Sequence, residues 1–188
     1  MAVDRERVEA AVRELLAAIG DDPGREGLTD TPRRVATAYG EYFAGVGVDP
    51  TAQLDTLGLE GETGELVLLR DIEFRSMCEH HLLPFTGVAH VAYLPGDRIT
   101  GLGRIPAVVD VVASRPQIQE RLTDEIADAL EVGLEPRGVL VVVEAAHGCV
   151  AARGQRQAKS TTVTMASRGE LAKPIERAEI MALIGERR

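Results

Sequence analysis

The amino-terminal part of the chain contains two segments in which apolar side chains recur at helical spacing. In the first segment the apolar positions are Val8, Val12, Leu15 and Leu16. Acidic residues precede this stripe and Gly20 follows it, so we predict one amphipathic helix that ends near Gly20. In the second segment Thr31 precedes Pro32. A threonine N-cap followed by proline at the first helical position is typical of a helix start, so we predict a second helix here.

From Glu65 onward the pattern predicts two strands, two helices, two further strands and a short carboxy-terminal helix. The predicted strands cover 65–74, 86–95, 138–146 and 160–167. The predicted helices cover 105–114, a stretch that begins near Pro116, and 175–185. The second of these helices carries an apolar residue at every fourth position: Ile118, Leu122, Ile126 and Leu130. This order predicts an α+β fold, with an antiparallel sheet that carries its helices on one side.

Residues 46–64 separate these two parts of the chain. They are rich in Gly, Asp and Thr and lack a steady period, which is typical of a linker. We therefore predict an N-terminal helical segment with its linker, 1–64, and a main domain, 65–188. A chain of 188 residues is long enough for one domain with its own apolar core.

The charge of the chain narrows the classes of partner. There are 21 Lys and Arg against 30 Asp and Glu, a formal net charge of -9, which disfavours binding to nucleic acid or to an anionic membrane. An anionic ligand would need a local basic pocket. The amino terminus has no apolar signal core, and no run of about eighteen apolar residues occurs. We therefore expect a cytoplasmic protein whose two cysteines are reduced thiols, available to a metal or to chemistry.

Both cysteines and three of the four histidines lie in two short clusters. The first cluster contains Cys78, His80 and His81, and the second contains His147 and Cys149. Each cluster follows a predicted strand, and we expect these strands to be neighbours in one sheet. In an extended segment, residues two apart face the same side, so we expect His147 and Cys149 to point the same way.

These residue types are typical ligands of zinc. Zinc binds thiolate and imidazole groups, and a catalytic zinc site keeps three protein ligands and one open position. Cys78, His81 and Cys149 would supply such a set. His80 and His147 would then be free to move protons, and the combination suits hydrolysis of a C=N bond. The alternative is a buried pair of thiols with surface histidines.

The fourth histidine, His90, lies inside a predicted strand. We expect no catalytic role for it.

Two further groups of residues are candidates for binding a nucleotide. Gln119 and Glu120 begin a helix, where a carboxylate can accept both N–H donors of a guanine edge. An acidic residue at this position can equally serve the helix dipole. Arg104, Arg153 and Arg156 carry guanidinium groups that suit phosphate oxygens. The alternative for these three is that they are solvated surface arginines.

The chain resembles GTP cyclohydrolase I at these residues and over most of its length. The resemblance runs through the stretches REGLTDTPRRVATAY, RDIEFRSMCEHHLLPFTGVAHVAYLPGDRITGLGRI, SRPQIQERLTDEIADAL and HGCVAARG. It fades in the linker and after Arg168. The resemblance implies the tunnelling fold, assembled as a homodecamer of two face-to-face pentameric rings, with active sites where subunits meet.

The resemblance also implies a role for each candidate residue. The family's zinc ligands fall on Cys78, His81 and Cys149, its proton-transfer histidines on His80 and His147, its guanine-anchoring pair on Gln119 and Glu120, and one triphosphate-binding arginine on Arg153. The implied reaction begins when zinc-activated water attacks C8 of GTP, with His147 suited to protonating N7. Formate leaves, the ribose opens, and an Amadori-type rearrangement and ring closure give 7,8-dihydroneopterin triphosphate.

The chain departs from the family pattern in the stretch GLGRIPA, residues 101–107. Family members usually have GLSKLxR there, so the serine is replaced by Gly103, the lysine by Arg104 and a phosphate-binding arginine by Ala107. These positions serve the ribose and phosphate side of the site. Two alternatives therefore stay open. One is a diverged enzyme that stops at a formamidopyrimidine nucleotide or uses another purine nucleotide, and the other is a noncatalytic sensor of guanine nucleotides.

Overall fold

A computed structural model describes residues 3–58, 64–154 and 156–185. Its helices are α1 (Arg5–Ala18), α2 (Thr31–Tyr42), α3 (Arg104–Ala113), α4 (Gln119–Leu134), the single turn α5 (Gly148–Ala151) and α6 (Pro174–Gly185). Its strands are β1 (Thr56–Gly58), β2 (Val67–Cys78), β3 (Pro84–Leu94), β4 (Arg98–Thr100), β5 (Pro116–Gln117), β6 (Gly138–His147) and β7 (Thr162–Gly169). Two short 3-10 helices occupy Pro50–Gln53 and Glu170–Ala172. The predicted order of two strands, two helices and two strands is confirmed by β2, β3, α3, α4, β6 and β7.

The two amino-terminal helices form where the apolar pattern predicted them. Helix α1 is capped by Asp4, whose carboxylate accepts a hydrogen bond of 3.1 Å from the backbone N–H of Arg7. Helix α2 has Asp30 at its N-cap and Pro32 in its first turn, so it begins one residue earlier than predicted. Such one-residue differences are ordinary at helix ends. The two helices pack against each other, but Leu15 of the predicted stripe is exposed.

The main sheet has the strand order β5-β2-β3-β6-β7. The four long strands pair antiparallel, whereas the two residues of β5 pair parallel with the end of β2. The predicted antiparallel sheet is thus confirmed, with one short parallel addition. The stretch near Pro116 was predicted to begin a helix. Its first residues instead form β5, and helix α4 starts at Gln119.

The core lies between one face of the sheet and helices α3 and α4. Side chains of β6 alternate between the two faces, and those facing these helices are Val139, Val141, Val143 and Ala145. The stripe predicted for α4 is buried at Leu122, Ile126 and Leu130. A smaller apolar cluster covers part of the opposite face, where α6 contributes Ile180 to a group with Leu140 and Val142. The carboxy-terminal helix therefore lies across the sheet from α3 and α4.

Part of the predicted linker has regular structure. Strand β1 pairs antiparallel with β4, and Leu54 packs against the main core. Residues 59–63 of this linker lie outside the described residues. The division of the chain at residue 64 stays a prediction. Among the described residues, no helix is both long and apolar enough to cross a membrane.

Candidate metal centre and active site

The two Cys/His clusters meet at one edge of the sheet. Strand β2 ends at Cys78 and strand β6 ends at His147, and both pair antiparallel with β3. They therefore run in the same direction and finish side by side with the start of β3, where Phe85 pairs with His147. The expectation that these strands are direct neighbours was wrong, because β3 lies between them. The gap of two strand spacings, about 10 Å, is closed by the turns that follow each strand.

The turn after β6 carries Cys149 toward the other cluster. The strand ends at His147, and Gly148–Ala151 forms the helical turn α5. The expectation that His147 and Cys149 share one side of an extended segment was therefore wrong, because Cys149 belongs to a helical turn. Gly148 allows this turn to pack tightly, since a Cβ atom there would lie only 2.6 Å from the carbonyl oxygen of Pro84.

Three of the predicted metal ligands converge. The ligand atoms of Cys78, His81 and Cys149 all lie within 4.8 Å of one another, and Cys78 Sγ is 3.8 Å from His81 Nδ1. In a tetrahedral zinc site with Zn–S distances of about 2.3 Å, ligand atoms are separated by roughly 3.5–3.8 Å. Small side-chain rotations would bring these three groups to that spacing. The geometry therefore fits a metal with three protein ligands and an open position.

Burial and the neighbouring sulfur both influence the protonation of Cys149. Burial raises the pKa of the Cys149 thiol, and the neighbouring Cys78 raises it further. The charge of Arg153 lowers the same pKa, but it is a smaller influence. Because metal binding requires thiolates, a metal bound here would have to displace the thiol protons.

His147 is held on two sides. Its Nε2 lies 2.8 Å from Oε1 of Gln119, and its ring stacks on Phe85 with centroids 4.6 Å apart and planes 9° from parallel. Burial lowers the pKa of His147, and the nearby charge of Glu120 partly opposes this shift. The structure thus brings His147 together with both residues of the predicted guanine-anchoring pair. Glu120 is exposed, whereas Gln119 is buried.

His80 lies in the turn that follows β2. Its side chain is 66% exposed, and its Nε2 is 3.8 Å from Oε1 of Glu79. Glu79 forms an ion pair with Arg121 of α4, and the hydrogen bond from Arg121 lowers the pKa of the Glu79 carboxyl. Arg121 Nε also donates to Oε1 of the buried Gln117 at 3.0 Å. These contacts tie the loop that carries His80 to the first turns of α4.

Sequence reasoning did not identify Glu79 and Arg121 as part of the site. Glu79 lies inside the CEHH cluster, and Arg121 directly follows Glu120. The two motifs were expected to converge, and one carries an acidic residue and the other a basic one. This is the only feature of the sequence that could have suggested an ion pair between them. This feature was not sufficient to predict the Glu79–Arg121 ion pair, because nothing in the sequence gives the distance between the loop and the helix.

The three candidate arginines occupy two different places. Arg153 and Arg156 follow α5 and are exposed, and Arg153 is close enough for its charge to act on Cys149. Neither forms an ion pair with another residue in the described part of the chain. Arg104 is the first residue of α3 and forms an ion pair with Asp55.

Helix α3 separates Arg104 from the metal ligands. At the carboxyl end of α3, the carbonyl of Ala113 accepts a hydrogen bond of 2.7 Å from Ser76 Oγ, two residues before Cys78. Arg104 lies at the other end of this ten-residue helix, about 14 Å away along its axis. A single chain therefore gathers the metal ligands, His147, Glu120 and Arg153, but not Arg104.

Comparisons with known proteins agree with these features. A family model described as GTP cyclohydrolase I matches residues 8–185. The GTP cyclohydrolase 1 of Leifsonia xyli subsp. xyli is 63% identical over 183 residues, covering 97% of this chain and 96% of that protein. That of Carboxydothermus hydrogenoformans is 55% identical over 185 residues, covering 97% of this chain and 96% of that protein. Among solved structures, an archaeosine synthase QueF-Like in the apo form has a TM-score of 0.46 at 15% identity, over 57% of this chain and 97% of that chain.

The observed order of strands and helices is that of the tunnelling fold, as the resemblance implied. The family model covers nearly the whole chain, and the relatives are identical to it at more than half of their aligned positions. The chain belongs to the GTP cyclohydrolase I family.

Proposed function

We propose that the protein is a zinc-dependent GTP cyclohydrolase I, which opens the imidazole ring of GTP at C8, releases formate and forms 7,8-dihydroneopterin triphosphate. The observation that carries this proposal is the convergence of Cys78, His81 and Cys149 within 4.8 Å, with His147 two residues from Cys149. The proposal is further supported by family membership over residues 8–185.

Zinc is the metal that this donor set favours. Two thiolates and one imidazole are soft and intermediate ligands that suit zinc, and a set of three protein ligands leaves one position open. A zinc ion held by Cys78, His81 and Cys149 would supply Lewis acidity toward water at neutral pH. The chain's own contribution is to hold these ligands at the ends of β2 and β6, beside the histidines that move protons.

His147 is the proposed proton donor to N7 of the guanine ring. Opening the imidazole ring requires a proton on the departing nitrogen, and His147 is fixed in place by Gln119 and Phe85. His80 is the proposed second proton-transfer group. It is exposed to an incoming substrate, and the Glu79–Arg121 ion pair holds its loop against α4.

Two groups of residues are proposed to bind the substrate: a carboxylate binds the guanine base, and a pair of arginines binds the triphosphate. The exposed carboxylate of Glu120 is available to accept the N1–H and the exocyclic amine of guanine. Gln119 lies beside it in the first turn of α4. Arg153 and Arg156 have no ion-pair partner among the described residues and are proposed to bind the triphosphate.

The position of Arg104 supports a site shared between subunits. Arg104 lies at the far end of α3 from Cys78, and we propose that it reaches the substrate from another copy of the chain. We propose that the protein forms a homodecamer of two pentameric rings, in which Arg104 of one subunit completes the site of its neighbour. We propose that this assembly acts in the cytoplasm.

The proposal is tested with the purified protein and GTP. We expect release of formate and a product with the mass of 7,8-dihydroneopterin triphosphate. We also expect Cys149→Ser to lose bound zinc and formate release together, because a hydroxyl is a poor replacement for thiolate as a zinc ligand. Val150→Ser, which adds the same hydroxyl to the neighbouring exposed position of α5, is the matched control and should keep both.

Other outcomes would select the alternatives. Formate release without the pterin product would indicate an enzyme that stops at a formamidopyrimidine nucleotide. Binding of GTP without formate release would indicate a nucleotide sensor. A Cys149→Ser protein that retains stoichiometric zinc and full activity would contradict the assignment of the metal ligands.

A further inference from the structure

Two of the three candidate metal ligands lie in a short turn between β2 and β3. The turn begins at Cys78 and ends at Leu83, and the backbone N–H of Cys78 donates to the carbonyl oxygen of Leu83 at 2.9 Å. Residues 79–82 of the turn, which include the ligand His81, are exposed. Because exposed side chains are not held by core packing, the position of His81 depends on the contacts that the turn makes with other elements.

Glu79 makes such contacts through both its backbone and its side chain. Its N–H donates to the carbonyl oxygen of Gln117 in β5 at 3.0 Å, and its carboxylate pairs with Arg121 in α4. Within the described part of the chain, this is the one ion pair that links the turn to another element, because the contact between His80 and Glu79 lies inside the turn. Glu79 directly follows the ligand Cys78, so its position affects the metal group.

The guanidinium of Arg121 is fixed by more than its ion pair. An isolated exposed pair contributes little to stability, and the side chains of Arg121 and Glu79 are 40% and 32% exposed. However, Nε of Arg121 also donates to Oε1 of Gln117 at 3.0 Å, and a terminal nitrogen donates to the carbonyl oxygen of Pro116 at 3.2 Å. A planar guanidinium with several acceptors is held in one orientation. Arg121 therefore meets Glu79 as a pre-positioned partner.

The acceptor that holds Arg121 is itself fixed in the core. Gln117 is fully buried, and its Nε2 donates to the carbonyl oxygen of Val112 at 3.1 Å and to the carboxylate of Glu125 at 2.8 Å. A carbonyl oxygen and a carboxylate only accept hydrogen bonds, so the amide nitrogen must face them and Oε1 must face Arg121. The buried amide thus links the core to the exposed ion pair.

We propose that Arg121 is a positioning residue for the metal group: through Glu79, it holds the turn from Cys78 to Leu83 at the spacing that retains the metal. Arg121 directly follows Glu120 in α4, and neighbouring helix residues point about 100° apart. Arg121 thus faces the turn, while Glu120 stays available to the base. This inference rests on the proposed zinc site and deepens the proposed function.

The rate of zinc release tests this role without any substrate. Arg121→Met keeps an unbranched side chain but removes the guanidinium. We expect zinc to pass to an excess of a chromogenic chelator about 10-fold faster than from wild type, at the lower end of the range for loss of a group that orients metal ligands. An unchanged rate of release would overturn the proposal.

The matched control removes a different arginine that pairs with α4. Arg168 in β7 forms ion pairs with Asp124 and Asp128 of that helix. Arg168→Met should therefore release zinc at the wild-type rate. Equal acceleration in Arg168→Met and Arg121→Met would show a general effect of loosening α4, and it would overturn the proposal.

A double-mutant cycle tests whether Arg121 acts through Glu79. We expect Glu79→Gln to accelerate zinc release to a similar extent, and the variant with both changes to release zinc no faster than either single variant. Multiplying effects in the double variant would show independent actions and overturn the proposal. Glu79→Gln alters an exposed side chain, so it carries the test even if Arg121→Met does not fold.

Formate release separates this inference from the proposed function. We expect the activity lost in Arg121→Met to return toward that of wild type when excess zinc is added, because mass action refills a weakened site, and the preference for GTP over ATP to stay unchanged. A loss that excess zinc does not restore would show that Arg121 acts on the substrate and would overturn the proposal. Absence of formate release in wild type would reject the proposed function, while the rates of zinc release would still test the role of Arg121.

Discussion

The carboxylate of Glu120 is exposed in the first turn of α4, directly beside the buried side chain of Gln119. Neighbouring residues of a helix point about 100° apart, so the two side chains have different surroundings. Glu120 also acts electrostatically on His147. A single residue thus lies close both to the proposed site of the guanine edge and to the proposed proton donor.

Replacing Glu120 with Gln should weaken recognition of guanine. The amide is uncharged and has a donor NH2 in place of one carboxylate oxygen, so it cannot reproduce the two parallel charge-assisted contacts with the guanine edge. We expect a loss of about 2–4 kcal/mol in transition-state binding, the range for breaking a hydrogen-bonded charge pair, and a large fall in the preference for GTP over ATP. The measurement is kcat/KM for both nucleotides. Asp128→Asn, which alters an acid two turns further along α4, is the matched control, and an unchanged preference in Glu120→Gln would show that the base is bound elsewhere.

Helix α3 carries the departure from the family pattern. Gly103 at its N-cap has φ of -70° and ψ of -13°, which any residue adopts, and a Cβ atom added there would meet no atom within 4 Å. Serine therefore fits at this position without strain. Ala107 is half-buried on the next turn of the same helix. The N-cap of α3 can thus accept the family's usual serine without rebuilding the fold.

The double variant Gly103→Ser plus Ala107→Arg should strengthen binding on the ribose and phosphate side. A guanidinium adds charge-assisted contacts to phosphate, and the hydroxyl returns a possible proton relay. We expect a lower KM for GTP, by several-fold, and a larger share of the ring-opened product carried through to the pterin. Steady-state KM and the ratio of pterin to formate are the measurements, with Gly103→Ala as a control that lacks the hydroxyl. The alternative outcome is that the wild type already yields equal amounts of formate and pterin, with no improvement in the double variant. That result would mean that Arg104 and Arg156 supply the missing contacts.

At the scale of the whole molecule, the separation of Arg104 from the metal ligands bears on the proposed assembly. Each chain carries one half of the proposed site at the end of β2 and β6, and the other half at the start of α3. In a closed ring of identical subunits, each half can meet the complementary half of a neighbour. A subunit with a defect in one half should therefore be able to form an intact site with a subunit whose defect lies in the other half.

Mixing two inactive variants tests this arrangement. We expect Arg104→Ala and Cys149→Ser subunits, unfolded and reassembled together, to recover formate release, because some interfaces then combine an intact Arg104 with an intact metal group. Random mixing in equal amounts gives roughly a quarter of the sites intact in a ring with shared sites. His147→Ala mixed with Cys149→Ser is the control and should recover nothing, because both defects lie in the same half. No recovery in the first mixture would place the whole site within one chain.

The main elements and the candidate metal group could be predicted from local sequence patterns. Apolar periods of two and about 3.6 depend only on which residues face a core, so the four long strands, α3, α4 and α6 were predicted near their observed positions. Both cysteines and three histidines lie in two short clusters, and thiolate and imidazole are typical zinc ligands, so Cys78, His81 and Cys149 could be predicted as a metal group. The structure brings these three together.

Distances between distant parts of the chain were decided only by the tertiary structure. Strand β3 lies between β2 and β6 in the sheet, and Cys149 belongs to the helical turn that begins at Gly148, not to the strand. The burial of Gln119 and its contact with His147 depend on where α4 packs against β6 and β7. A local pattern specifies which side of an element is apolar, but not which element covers it or at what register. That is why the candidate metal ligands could be predicted from the sequence, whereas the contacts of Glu79 with Arg121 and of Gln119 with His147 could not.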